Sequence, residues 1–323
     1  MILAYLKLHY EDCMSKRVFL FPGQGSQYAG MGKSLAEAFP AARAVFAEAD
    51  EALGFSISKL CFEGPDEELK QTENTQPALV ATSVAALAVL SEMGIKPDFV
   101  AGHSLGEYSA LVAAGSLTLA DAVRLVRKRG SYMQTAVPFG VGAMAALLKL
   151  PEGKLQEILE QAAEGEVVTA ANLNSPDQIV IAGHAGAVAR AMELAKAAGA
   201  KRAIPLAVSA PFHCPLMIPA QQQLSVDLDA ATFLDLSMPL VNNWQARLIS
   251  TGGEARKGLY EQVPNSVHWT ASMRLLINEG ATEWIEVGPG AVLGGLLKNI
   301  DPNHKASKFG DAGDVQTIAD MNR

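Results

Sequence analysis

The chain has few cysteines, and none lies in a metal-binding pattern. Its 323 residues include only Cys13, Cys61 and Cys214, and no two of them form a C-x-x-C pair. Disulfide frameworks and structural zinc sites need several cysteines at characteristic spacings. The sequence therefore predicts neither a disulfide framework nor a metal site. It favours a reducing compartment, and we expect a cytoplasmic protein.

A dense run of basic residues is also missing. Lysine and arginine total 26 against 34 aspartates and glutamates, which gives a net charge of −8. Nucleic-acid-binding surfaces are strongly positive, so we expect no nucleic-acid partner. Any positive patch should be small and dedicated to one ligand.

No apolar run is long enough for a membrane span. The longest, residues 78–90, is interrupted by Thr82 and Ser83, whereas a spanning helix needs about 20 apolar residues. Residues 1–13 do not resemble a signal peptide, because acidic residues follow a short apolar stretch. We expect no membrane partner, and we expect this N-terminal segment to be peripheral or poorly ordered.

A serine flanked by glycines is the most informative feature present. The apolar residues 99–101 lead into the sequence GHSLG at 102–106, and a helical pattern follows. A G-x-S-x-G turn between a strand and a helix is the nucleophile elbow, which presents the serine hydroxyl at the edge of a sheet. Ser104 is therefore the candidate nucleophile. The alternative is an ordinary glycine-rich turn with a serine of no chemical role.

The order of predicted elements indicates an α/β protein. Apolar strands that alternate with helical patterns favour a parallel-sheet core, here of the α/β-hydrolase kind. Residues 139–206 read as β-α-β-β-α-β, which is the order of a ferredoxin-like unit. The predicted parts of the chain are a peripheral extension at 1–16, a core at 17–138 and 207–300, an inserted subdomain at 139–206, and a loosely held tail at 301–323. We expect the substrate cleft between core and insertion.

Two further residues stand out by their positions. Arg129 shares one helical stripe with the apolar Leu125 and Met133, and a buried arginine is costly without a carboxylate partner. It is either a ligand-binding residue or a snorkelling arginine paired with a structural acid. His213 lies on a proline-flanked loop just after the predicted insertion, so it is the candidate base, with a purely structural histidine as the alternative.

Gln24 is a weaker candidate on its own. It lies between Gly23 and Gly25 after the first predicted strand, where the backbone could approach a ligand closely. The third glycine of a dinucleotide-binding fingerprint is missing, since Tyr28 occupies that position.

Six motifs together resemble one known family. They are FPGQGSQ at 21–27, GHSLGE at 102–107, RKRGSYMQ at 127–134, NLNSPDQIVIAG at 172–183, PFHCPLM at 211–217 and EVGPG at 286–290. Their order and spacing are similar to those of the malonyl-CoA:acyl carrier protein transacylase family. The resemblance extends over about residues 17–300.

The resemblance implies roles for the reactive residues. Ser104 matches the serine that accepts the acyl group, and His213 matches its general base. Gln24 matches a glutamine beside the oxyanion hole, and the hole itself would include the backbone N–H of Leu105. Arg129 matches the arginine that binds the free carboxylate of malonate.

Supporting residues follow from the same resemblance. Gln262 matches a residue whose backbone carbonyl orients the histidine in place of a triad acid, and Asn174 lies at a supporting position. Phe212, where many fatty-acid members carry serine, should leave little room for an α-methyl branch. His103, next to the nucleophile, is assigned with Arg129 to substrate binding.

The implied activity is transfer of malonyl from malonyl-CoA to the phosphopantetheine thiol of holo acyl carrier protein through a malonyl-serine intermediate. We expect no cofactor, because the acceptor carries the phosphopantetheine, and we expect a monomer. The alternatives are a serine thioesterase or esterase, a malonyl-selective acyltransferase of polyketide synthesis, and a non-enzymatic carrier-protein docking module. The acceptor's pathway, fatty acid or polyketide, stays open.

Overall fold

The computed structural model describes residues 15–208 and 210–321. The expectation for residues 1–13 lies outside these ranges. No helix within them combines the length and apolarity needed to cross a membrane.

A six-stranded sheet forms the centre of the larger unit. Its strands are β1 (Lys16–Phe21), β2 (Phe99–Gly102), β7 (Leu240–Val241), β8 (Leu248–Ile249), β9 (Ala281–Val287) and β10 (Ala306–Phe309). Their spatial order is β10-β9-β1-β2-β7-β8. All neighbours are parallel except β8, which pairs antiparallel with β7.

The central strand β1 is apolar on both faces because helices cover both. Val18 and Leu20 belong to one buried cluster, whereas Phe19 and Phe21 belong to another on the opposite face. Such a continuous apolar run is typical of a parallel strand that is buried on both sides. The carboxyl end of this strand is thereby held rigidly at the edge where β2 also ends.

The helices that surround the sheet come from the parts of the chain before and after the insertion. Those that precede it are α1 (Lys33–Ala38), α2 (Pro40–Leu53), α3 (Ile57–Glu63), α4 (Asp66–Leu69), α5 (Thr72–Glu92), α6 (Gly106–Ala113) and α7 (Leu119–Thr135). Those that follow it are α10 (Ile218–Ala230), α11 (Gly252–Gln262), α12 (Trp269–Asn278), α13 (Val292–Ile300) and α14 (Val315–Met321). Helix α5 is apolar on nearly every face because neighbouring helices enclose it.

The insertion forms a separate four-stranded antiparallel sheet. Its elements are β3 (Gly142–Leu148), α8 (Lys154–Ala163), β4 (Val168–Ser175), β5 (Gln178–His184), α9 (Ala185–Ala197) and β6 (Arg202–Pro205). The strand order is β4-β5-β3-β6, which is the ferredoxin-like arrangement. The predicted fold class, a parallel-sheet α/β core with a ferredoxin-like subdomain, is confirmed.

The insertion is attached to the core beside β4. The backbone N–H of Leu173 donates to the carbonyl of Val267 at 2.9 Å, just before α12 begins. In the same place the N–H of Val267 donates to the carbonyl of Ala171 at 2.9 Å. These bonds hold the end of β4 close to the carboxyl edge of the larger sheet.

The prediction of a loosely held tail is wrong. Residues 306–309 form β10, which pairs in parallel with β9, and Phe309 is fully buried. Helix α14 then returns to the core with Ile318 buried. The polar composition after residue 301 concealed a strand that is stabilised by its neighbour in the sheet.

Candidate active site

Ser104 lies in the turn between β2 and α6, in a strained backbone conformation. Its φ angle is 52°, a left-handed value that non-glycine residues rarely adopt. A Cβ atom on Gly102 would lie 2.0 Å from the carbonyl oxygen of Gly106, and one on Gly106 would lie 2.1 Å from that of Phe21. Only glycine fits at these positions, so the turn is a nucleophile elbow.

His213 is placed to accept the proton of Ser104. Its Nε2 atom is 2.7 Å from Oγ of Ser104, and its Nδ1–H donates to the backbone carbonyl of Gln262 at 2.9 Å. Burial, together with the positive charge of Arg129, lowers the pKa of His213 to about 3. The imidazole is therefore neutral near pH 7, with the lone pair of Nε2 directed at the serine.

Arg129 is buried beside the nucleophile and is bonded to amides. Its Nη2 donates to Oγ of Ser104 at 3.1 Å and to Oε1 of Gln262 at 2.8 Å, and its Nη1 donates to Oε1 of Gln76 at 2.9 Å. None of the ion pairs in the described ranges involves Arg129. The alternative of a snorkelling arginine paired with a structural acid is wrong. Burial lowers its pKa, but guanidinium remains charged in proteins.

The groups assigned to the oxyanion hole have no protein partner in the described parts of the chain. The N–H of Leu105, at the start of α6, donates to no protein acceptor there, and the side chain of Gln24 makes no hydrogen bond. Gln24 is exposed on the loop after β1. Donors without a partner beside a nucleophile can stabilise a developing oxyanion.

Two adjoining cavities lie at the site, and they share Gln24 and His103 in their walls. The inner one is about 130 Å³ and contains Ser104, Arg129, His213 and Phe212 in its wall. The outer one is about 240 Å³ and extends along the subdomain toward α13. Gln24 borders both, so the outer cavity adjoins the one that contains the nucleophile.

His103 and Asn174 join the core to the subdomain. The Nε2 atom of His103 is 2.8 Å from Oδ1 of Asn174 on β4, and its ring lies 5.3 Å from that of Trp269. Burial lowers the pKa of His103, so the neutral ring donates through Nε2–H. His103 borders both cavities, but Asn174 borders only the outer one.

Three polar residues of the site were not singled out from the sequence. Asn243 accepts the N–H of Ser104 at 2.6 Å and donates to the carbonyl of Gly102 at 2.7 Å. Glu107 is buried below the elbow, and Gln76 contacts Arg129. A polar pair, Asn242–Asn243, directly after the short apolar strand β7 was the available signal for the first. Glu107 is the last residue of the GHSLGE motif, to which no role was assigned, and nothing local marks Gln76.

Comparisons with known proteins agree with this geometry. A model of the family described as "Acyl transferase domain" matches residues 18–293. Malonyl CoA-acyl carrier protein transacylase of Bacillus subtilis (strain 168) is 52% identical over 299 residues, which cover 92% of this chain and 94% of that protein.

Solved structures give the same result. An acyl carrier protein S-malonyltransferase from Vibrio cholerae has a TM-score of 0.92 and 43% identity, over 94% of this chain and 100% of that one. The malonyl-transacylase PlMCAT, solved with the type II polyketide acyl-carrier protein AntF, has a TM-score of 0.93 and 44% identity, over 95% of this chain and 100% of that one. Since the family model spans most of the sequence and these relatives match along nearly their whole length, the chain belongs to the acyl transferase domain family.

Proposed function

We propose that this protein transfers malonyl from malonyl-CoA to the phosphopantetheine thiol of holo acyl carrier protein, as an acyl-carrier-protein S-malonyltransferase. The observation that carries the proposal is the buried Arg129, whose Nη2 lies 3.1 Å from Oγ of Ser104. A guanidinium beside the nucleophile suits an acyl group with its own carboxylate. The named relatives are malonyl transferases, and they do not favour a hydrolase or a docking module.

The first half-reaction forms a serine ester. Nε2 of His213 takes the hydroxyl proton of Ser104 as Oγ bonds to the thioester carbon. The resulting oxyanion is stabilised by the N–H of Leu105 and by the loop of Gln24. When the tetrahedral intermediate collapses, the C–S bond breaks and the leaving CoA sulfur receives the proton from His213.

The second half-reaction uses the same groups in reverse. The phosphopantetheine thiol gives its proton to His213 and attacks the malonyl carbonyl. The bond to Oγ of Ser104 then breaks, and the serine recovers the proton. Neither half-reaction transfers electrons, so we propose that no cofactor is required.

Arg129 and Phe212 select the acyl group. The planar guanidinium can bind the malonate carboxylate through two hydrogen bonds. An acetyl group would leave this buried cation without an anionic partner, at a cost of about 3 kcal/mol, or roughly a hundredfold in rate. Phe212 narrows the inner cavity, and with His103 beside the nucleophile it leaves little room for an α-methyl branch.

The setting of the enzyme is part of the proposal. The acidic net charge of −8 argues against a nucleic-acid partner, and the few scattered cysteines fit a reducing compartment. We infer a cytoplasmic monomer of fatty-acid biosynthesis.

Gln262 and Asn174 support the site by orienting His213 and His103.

Intact-protein mass spectrometry after mixing with malonyl-CoA tests the proposal. We expect a long-lived malonyl adduct on Ser104 that is discharged by holo acyl carrier protein, and no adduct on Ser104→Ala. Prompt release of free malonate would support a hydrolase instead. A folded protein that forms no adduct would support a docking module.

A further inference from the structure

Glu107 is a carboxylate buried directly below the nucleophile elbow. It is the second residue of α6 and has no solvent exposure. Its Oε2 atom accepts from Nε2 of Gln262 at 2.8 Å and from the backbone N–H of Asn243 at 3.1 Å. Its Oε1 atom has no hydrogen-bond partner among the described residues. A buried carboxylate without an ion pair is costly, so its presence calls for a compensating role.

Gln262 connects this carboxylate to all three reactive groups. The Nε2 atom that donates to Glu107 also donates to the backbone carbonyl of Ser104 at 3.0 Å. Its Oε1 accepts from Arg129 at 2.8 Å, and its backbone carbonyl accepts from His213 at 2.9 Å. The position of this one residue therefore affects nucleophile, base and guanidinium together.

The two charged neighbours fix the orientation of the Gln262 amide. A guanidinium can only donate hydrogen bonds, and an ionised carboxylate can only accept them. Oε1 must therefore face Arg129, and Nε2 must face Glu107. Without the carboxylate, one of the two orienting contacts is lost, and the amide is free to rotate away from Ser104.

Asn243 extends the same support to the elbow. Glu107 accepts a hydrogen bond from the backbone N–H of Asn243. The side chain of Asn243 in turn accepts from the N–H of Ser104 and donates to the carbonyl of Gly102. The strained φ of 52° at Ser104 persists only if surrounding contacts enforce it. These bonds supply that enforcement from below the turn.

We propose that Glu107 is a positioning residue for acyl transfer. It acts through Gln262 and Asn243, which fix the relative positions of Ser104, His213 and Arg129. Its charge also balances the buried guanidinium through one intervening amide. A carboxylate bonded directly to Arg129 would compete with the substrate, whereas this arrangement leaves the guanidinium able to bind malonate. The inference rests on the malonyl transfer proposed above.

Ionisation of Glu107 gives the inference a distinctive pH dependence. Burial raises the pKa of this carboxyl to about 7. The other titratable or charged groups that face it are Tyr108 on the same helix and Arg129 on α7, while α11 and the segment after β7 present Gln262 and asparagine amides. Since the pKa of His213 is lowered to about 3, we expect an acid limb near neutrality to follow the ionisation of Glu107.

The experiment compares the full-length enzyme with Glu107→Gln, Glu107→Asp and the exposed control Glu92→Gln. The rate of Ser104 malonylation by malonyl-CoA is measured from pH 5 to 9, along with thermal unfolding and labelling of Ser104 by a fluorophosphonate. The glutamine variant keeps an oxygen acceptor but loses the charge. The aspartate variant keeps the charge on a shorter side chain.

We expect Glu107→Gln to slow malonylation by about 10- to 100-fold through kcat, to leave KM nearly unchanged and to abolish the acid limb. Glu107→Asp should recover part of the rate and restore the limb, and Glu92→Gln should match the wild type. Wild-type kcat and pH profile in a folded Glu107→Gln variant would overturn the inference.

If the glutamine variant does not fold, the pH profile of the wild type tests the role of Glu107. A wild-type rate that is independent of pH between 6 and 8 would also overturn it. Failure of the proposed function is distinguished from these outcomes, because the wild type would then form no malonyl adduct while still reacting with the fluorophosphonate.

Discussion

The guanidinium of Arg129 and the hydroxyl of Ser104 are joined by a hydrogen bond of 3.1 Å. The positive charge is therefore beside the atom that we propose carries the acyl group, and no protein carboxylate in the described ranges neutralises it by direct contact. A malonyl group on Ser104 would bring its carboxylate to this cation. We expect selectivity for the diacid to follow from that proximity.

Replacement of Arg129 by alanine should invert this selectivity. We expect malonyl transfer to fall by about a hundredfold and the ratio of acetyl to malonyl transfer to rise, because the variant no longer leaves a buried cation unpaired with acetyl. Competition between the two acyl-CoAs measures the ratio. Arg127→Ala is the matched control, since that residue on the same helix is half-buried and paired with Glu73. An unchanged ratio in Arg129→Ala would refute the assigned role.

Alanine at Gly102 should disrupt the elbow. Its Cβ would lie 2.0 Å from the backbone carbonyl oxygen of Gly106. Strand β2 or helix α6 would have to shift to relieve this clash. We expect a loss of at least about 3 kcal/mol in the free energy of unfolding, measured by urea denaturation. Gly295→Ala is the control, because a Cβ there would meet no atom within 4 Å apart from its chain neighbours and the backbone of its own helix, and alanine favours a helix. Equal stability of the two variants would contradict the packing described for the elbow.

Removal of the Asn243 side chain should affect both stability and rate. Asn243→Ala leaves the N–H of Ser104 and the carbonyl of Gly102 without partners, at a cost of about 1–3 kcal/mol for each buried group. We expect a lower free energy of unfolding. We also expect slower malonylation of Ser104, measured by mass spectrometry. The exposed Asn278→Ala should behave like the wild type. A fully active Asn243→Ala enzyme would show that the elbow keeps its shape unaided.

The buried histidine predicts a loss of stability in acid. The pKa of His213 is about 3 in the folded protein, against about 6.5 when unfolded, so the unfolded chain binds more protons between these values. Its contribution is complete above pH 6.5 and is lost as the pH falls toward 3. Urea denaturation should show that, as the pH falls from 6.5 to 3, the free energy of unfolding of the wild type drops by a few kcal/mol relative to that of His213→Gln. A difference that is constant with pH would mean that His213 titrates normally.

Local sequence was sufficient for the parts of the site that depend on one element. The GHSLG turn identified Ser104, because the elbow needs glycine on both sides at short range. Helical periodicity placed Arg129 on a buried stripe with Leu125 and Met133, and all three are buried. His213 required more than its own position, since a lone histidine is ambiguous, and the motif around it supplied the assignment.

The remaining contacts depend on residues far apart in the chain. Asn243 meets Ser104 across 139 positions, and Gln262 meets Glu107 across 155, so no local pattern could pair them. The amide partners of Arg129 were missed for a related reason. Its burial suggested a direct carboxylate partner, but Glu107 contacts the amide of Gln262, and that amide contacts Arg129. The strand β10 was missed because its stability comes from β9 and not from its own composition.

The position of β1 in the sheet bears on how the chain folds. This strand is paired with β2 on one side and with β9 on the other, so Arg17 bonds Glu283 across 266 positions of sequence. Contacts of such range close late, because chain entropy must be overcome before they form. The ferredoxin-like unit, whose strands are near neighbours in sequence, has no such delay. The carboxyl edge that carries the nucleophile is therefore completed only when the two distant ends of the core meet.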